Sequence, residues 1–161
     1  ISITGVSAGF MIDGFYTSDY SVYEYYFHNM SNLSTHWTKL RFNEGGTTQT
    51  SSNVRQGGIY YTINSSQAES IVNLTNKWNV DYAIGPYWGH QCVWKLTVWD
   101  PLATRQTYFK VDAINHYIDT TVYSQLYHGV WNTNDIVSGI YLYASTVNNS
   151  DYCYGSLYGI S

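Results

Sequence analysis

Residues 92–99 alternate. Cys92, Trp94, Leu96 and Val98 take every second position, and Val93, Lys95 and Thr97 fall between them. A period of two sends one set of side chains to one face of an extended strand and the other set to the opposite face. Residues 36–42 repeat the pattern, with Trp37, Lys39 and Arg41 on one side and Leu40 and Phe42 on the other. In residues 107–111, Phe109 and Val111 are expected inward, and Tyr108 and Lys110 outward. Segments 20–27, 59–63, 136–147 and 152–160 are rich in aromatic and β-branched residues and also read as strands.

Turn chemistry separates these runs. Asn43-Glu44-Gly45-Gly46 supplies a turn, Gly57-Gly58 precedes a strand, and Asp100-Pro101 ends one. The Gly/Ser/Thr-rich stretch 43–58 has strand-like segments on both sides, so it reads as a hairpin region with long turns and not as a linker. One segment has a helical pattern. Ser66-Gln67-Ala68-Glu69 has the form of a capping box, and Ala68, Ile71, Val72 and Thr75 follow at helical spacing. This predicts a short helix over 67–76. A second helical reading, over 113–125, competes with the strand formers Ile118, Thr120, Thr121 and Val122.

The sum is an all-β chain: a β-sandwich or jelly roll of about eight or nine strands with at most one or two short helices. Residues 1–12 are expected to form an N-terminal strand or donor arm, and residues 13–161 a single β-sandwich domain. Pro86 and Pro101 are the only prolines, so the sheet edges need another form of protection. Capping by a neighbouring chain would provide it.

Composition narrows the class. The 161 residues are 18% aromatic and only 11% charged, with 18 Tyr and 6 Trp. Disordered chains have few aromatics and high charge. Seven Lys and Arg against eleven Asp and Glu give a net charge of -4, the wrong sign for a nucleic-acid partner. No apolar run approaches the roughly 20 residues of a membrane span.

Catalytic and metal motifs are missing. His28, His36, His90, His116 and His128 form no zinc-type spacing, and no C-x-x-C pair occurs. Gly5-Val6-Ser7-Ala8-Gly9 matches the letters of a nucleophile elbow only superficially, since no strand-to-helix turn is expected at its place at the extreme N-terminus. Glu24 is the most suggestive carboxylate for a hydrolase, since paired carboxylates need proximity in space and not in sequence. On balance the chain reads as non-enzymatic, with no cofactor and no metal.

Several features point outside the cell. Five N-glycosylation triplets start at Asn29, Asn32, Asn64, Asn73 and Asn148. Covalent sugar would keep a charge-poor surface soluble. The chain starts at Ile1, which reads as a mature product after removal of a signal peptide. Cys92 and Cys153 are the only cysteines, and in an oxidising compartment two cysteines read as one bridge. That bridge would close a loop of about 60 residues, worth roughly 4 kcal/mol in the chain-entropy model.

The aromatic excess is more than one core can hold, so some rings must be exposed, covered by sugar or buried against another chain. Gly85-Pro86-Tyr87-Trp88-Gly89-His90 reads as a turn carrying two large rings. Tyr87 and Trp88 are therefore the candidate carbohydrate platform or interface anchor, and Trp131 is a further candidate for sugar stacking.

The first residues carry no charge before Asp13. Ile1, Ile3, Val6, Ala8 and Phe10 make an apolar strand-like arm, either the first strand of its own sheet or a strand added to a neighbour. With this arm, the five sequons and the Tyr/Ser/Thr/Asn-rich body, the chain resembles secreted, glycosylated filament subunits of the donor-strand type, such as archaeal threads and bundling pili. The resemblance implies a β-sandwich with an open groove filled by another subunit's arm. It makes the protein a structural subunit of an extracellular filament whose partners are identical copies and N-glycans. The alternative is a secreted lectin-like carbohydrate-binding module.

Overall fold

The computed structural model describes residues 2–6, 9–30, 36–50, 52–64, 67–80, 83–88, 91–116, 122–144 and 152–161. Among them are thirteen strands and no helix. The strands are Ser2–Val6 (β1), Gly9–Asp13 (β2), Val22–Met30 (β3), His36–Glu44 (β4), Thr47–Thr48 (β5), Val54–Asn64 (β6) and Gln67–Val80 (β7). Ala83–Trp88 (β8), Gln91–Trp99 (β9), Thr107–His116 (β10), Val122–Trp131 (β11), Val137–Ala144 (β12) and Tyr152–Ile160 (β13) complete the set. The short β1, β2 and β5 and the paired β7 and β8 carry the count past the eight or nine expected.

All strand pairs are antiparallel and form two sheets. The larger has eight strands in the order β1-β13-β3-β9-β10-β11-β6-β7. The smaller has β2-β12-β4-β5, with β8 also pairing β4. The sheets pack face to face as a β-sandwich, the arrangement that the alternating pattern requires.

Alternation fills the space between them. From the larger sheet, Tyr23, Tyr25 and Phe27 of β3, Cys92, Trp94, Leu96 and Val98 of β9, and Phe109 and Val111 of β10 are all buried. Leu40 and Phe42 of β4 and Ile140 and Leu142 of β12 meet them from the smaller sheet. Phe42 makes the contact directly, with ring centroids 5.4 Å from Phe109 and 5.5 Å from Trp131. Lys39 and Arg41, at the alternate positions of β4, stay half-buried on the other face.

The turn at Gly45-Gly46 joins β4 to β5, with Glu44 opposite Thr47. Both glycines have positive φ, 56° and 78°. A two-residue hairpin loop of this kind matches the twist of its strands, and glycine adopts it without steric cost. Asp100 does end β9, and its own φ is 50°.

The expected helix over 67–76 is a strand instead. β7 pairs with β6 from Val54 opposite Val80 to Asn64 opposite Gln67. Ile71, Val72 and Thr75 are β-branched and favour extended backbone. A helix there would have left the long edge of β6 unpaired, so pairing outweighs the local capping signal. Segment 113–125 likewise divides between β10 and β11, and residues 117–121 lie outside the described residues.

Candidate assembly edge and surface groups

The N-terminal arm ends both sheets. β1 lies along β13, from Ser2 opposite Ser156 to Val6 opposite Tyr152. β2 lies along β12, with Phe10 opposite Leu142 and Asp13 opposite Gly139. In the single chain, then, the arm pairs with its own body. Ile3 and Val6 stand in β1 and Phe10 in β2, while Ile1 and Ala8 lie outside the described residues.

Specific contacts seat β2. Ile12 is buried in the core. Ser138 Oγ donates to Asp13 Oδ1 at 2.7 Å, and Gly14 N donates to the Ser138 carbonyl at 3.1 Å. Gly139 allows the close approach, since a Cβ there would overlap the Ile12 carbonyl.

The register opposes the expected cysteine bridge within one chain. Cys92 and Cys153 both lie opposite Asn29, one on each side of β3. Two strand spacings put their Cα atoms about 9.6 Å apart, beyond the ~7 Å that a disulfide spans. The pattern of residue types could not reveal that a whole strand runs between them.

The sequons fall in different places. Asn29 lies in β3, opposite Cys153 of β13 and Cys92 of β9. Asn64 ends β6 at the hairpin to β7, and Asn73 lies within β7 opposite Tyr60. Asn32 and Asn148 are outside the described residues.

Glu24 sits in an ion-paired cluster on the outer face of the larger sheet. Tyr26 OH donates to its Oε2 at 2.6 Å, and Lys95 Nζ donates to its Oε1 at 3.1 Å. The Tyr26 hydrogen bond foremost, then Lys95, holds the carboxyl below the usual carboxylate range. The same bonds push Tyr26 and Lys95 upward. A general acid needs a raised carboxyl, so this environment runs against that one role for Glu24. Among the described residues no three His, Cys, Asp or Glu side chains gather as a metal site. No helix among them is long and apolar enough to cross a membrane.

Tyr87 and Trp88 are not in a turn. They end β8, with Tyr87 opposite Trp37 and Trp88 opposite His36. The register shifts between Trp37 and Lys39, and Gly85 and Pro86 lie in the extra stretch. Proline has no N–H for the ladder and is tolerated at such a bulge. The Tyr87 and Trp88 side chains, and residues 89 and 90, lie outside what the structure describes. Trp131 is fully buried, and its indole Nε1 donates to Glu44 Oε1 at 2.8 Å. It is a core residue and not a sugar platform.

Other rings do reach the surface. Tyr26, Tyr154 and Tyr158 are exposed on the outer face of the larger sheet, and Tyr108 is exposed further across it. Tyr26 and Tyr158 meet edge to face at 5.7 Å. On the outer face of the smaller sheet, Tyr141 stacks on Tyr143 at 5.4 Å, and the Arg41 guanidinium lies 5.0 Å from the Tyr143 ring centroid. The parity of β3 carries the signal for Tyr26, which alternates with the inward Tyr25 and Phe27.

A second tyrosine group holds the loop after β2. Tyr25 OH donates to Tyr16 OH at 2.6 Å. Tyr23 OH donates to the Thr17 carbonyl at 2.7 Å and accepts from Thr17 N at 2.6 Å. Burial pushes the Tyr16 and Tyr25 hydroxyls well above the usual tyrosine range.

No family model matches the chain, and no curated protein matches it.

Proposed function

We propose that this chain is a structural subunit of an extracellular, glycosylated filament, built head to tail by donation of the N-terminal strand to a neighbouring subunit. The observation that carries this reading is that one continuous segment ends both sheets, as β1 on β13 and β2 on β12.

A terminal strand pairs on one side only. Moving it to an identical site on the next subunit breaks and remakes the same ladder bonds and leaves no other strand unpaired. Such exchange is a low-cost route to association, and a head-to-tail contact that does not close gives a filament. Residues 1–12 carry none of the charged side chains that usually guard an edge, Asp13 being the first in the sequence. Exposed Tyr26, Tyr108, Tyr154 and Tyr158 provide aromatic surface for contacts between copies. N-glycans on the sequon asparagines would cover the rest of a surface short of charge.

Electron microscopy of the natively secreted material tests the reading. Long unbranched fibres are expected from the intact chain, and single particles from a chain lacking residues 1–10. Monodisperse particles from the intact chain would overturn it.

A further inference from the structure

We infer that an open cavity at one end of the sandwich binds a single neutral sugar unit. The cavity holds about 330 Å³ and lies where β3 begins and where β9 and β13 end. That is the lower end of the range for small-molecule sites, with room for about one pyranose ring. The inference stands apart from the filament reading and from the Tyr87–Trp88 expectation.

The walls are held by backbone bonds. Asp100 N donates to the Ser21 carbonyl at 2.6 Å, and Ala103 N donates to the Asp100 carbonyl at 3.1 Å. Val137 N donates to the Pro101 carbonyl at 2.8 Å, fixing the same turn to the smaller sheet. Opposite, the two bonds between Tyr23 OH and Thr17 anchor the 17–21 loop. The site therefore exists before any ligand arrives, which lowers the ordering cost of binding.

The lining has the chemistry of a sugar site. One side of the Tyr20 ring packs on the Gly159 backbone, so closely that a Cβ on Gly159 would overlap it. Tyr23 meets it edge to face at 6.1 Å, and Tyr20 as a residue is still 43% exposed. Tyr20 lines the cavity and keeps part of its aromatic surface open to it. A pyranose offers a C–H face to such a ring and a rim of hydroxyl donors around it. Asp19 and Asp100 line the same cavity, and their carboxylates are the acceptors offered to those hydroxyls. Arg105 donates to Asp100 Oδ2 at 2.6 Å, holding that carboxylate in place. Two carboxylates against one guanidinium repel an anionic sugar, so the ligand class is neutral.

Saturation-transfer NMR on the full chain with methyl α-mannopyranoside, methyl β-glucopyranoside and methyl β-galactopyranoside tests the site. At least one glycoside is expected to receive saturation. Tyr20→Ala, which removes the stacking face, should weaken its binding about tenfold. Ser18→Trp, on the exposed turn beside the cavity, should block it in a protein that folds normally, and decides the matter if Tyr20→Ala does not fold. No transfer to any of the three glycosides overturns the inference. So does transfer that both variants leave unchanged. Calcium-induced shifts at Asp19 and Asp100 without sugar binding would reassign the cavity to a cation and overturn it as well.

Discussion

Trp131 and Glu44 join the two sheets through one hydrogen bond. The indole Nε1 at the end of β11 donates to the Glu44 carboxylate of β4 at 2.8 Å, and Thr133 Oγ1 donates to the same oxygen at 3.0 Å. The indole also packs against Phe42 in the core. Trp131→Ala is expected to cost about 3–5 kcal/mol, since it leaves a large cavity. Trp131→Phe keeps most of the volume but removes a donor from a part-buried carboxylate, and should cost about 1–3 kcal/mol. Urea denaturation of both variants checks the order. Equal losses would mean that the hydrogen bond accounts for the whole cost and the ring volume for none of it.

Gly139→Ala acts on the arm. The added Cβ would overlap the Ile12 carbonyl and crowd the Asp13 backbone, so β2 must shift away from β12. A backbone clash of this kind costs roughly 1–3 kcal/mol. Faster amide exchange over residues 9–13 is the expected result, with slow exchange kept in β9 and β10. Because a donated arm would occupy the same place, the variant should also form fewer fibres.

The Glu24 cluster predicts a particular acid response. Its carboxyl lies below the usual 4.5 in the folded chain. A lowered carboxyl stabilises the fold fully above its unfolded value, and that stability disappears as pH falls through the folded value. Glu24→Gln should cost on the order of 1 kcal/mol at pH 7, because the pair is partly exposed. The gap between the wild type and this variant should narrow between pH 7 and an acid pH below the usual carboxylate range. Denaturant midpoints at the two pH values measure it, and a gap that stays constant would dismiss the ion pair as the cause.

Tyr25 predicts the alkaline limb. Its buried hydroxyl titrates well above the usual 10, as does that of Tyr16. Groups raised in this way contribute stability that is complete below the unfolded value and is lost as pH rises through the folded one. Thermal stability should therefore fall above about pH 10, with tyrosinate absorbance appearing as the chain unfolds. Tyr25→Phe should cost about 0.5–1.5 kcal/mol at neutral pH for the lost hydrogen bond. It should also make the alkaline fall shallower.

Peptide mapping under non-reducing conditions is expected to find no Cys92–Cys153 linkage within one chain, because β3 runs between them. Such a linkage in folded monomer would require β3 to leave its place.

For most segments, though not for β7 or β8, strand identity was a local property that the sequence determined. Cys92, Trp94, Leu96 and Val98 are inward because alternate side chains of any extended segment share a face, and Phe109 and Val111 follow the same rule. The Gly45-Gly46 turn was legible for a similar reason, since its backbone demands residues without a Cβ. The all-β sandwich followed from adding such segments together. Partnership was decided by tertiary structure. Only the fold put β3 between the two cysteines, made residues 67–76 a strand on β6 where a helix was expected, and buried Trp131 against Glu44. It also placed Tyr20 over Gly159 and brought Asp19 and Asp100 to one cavity. Each of these depends on residues distant in the chain meeting in space. Local patterns set which face a side chain takes, but not which strand lies beside it.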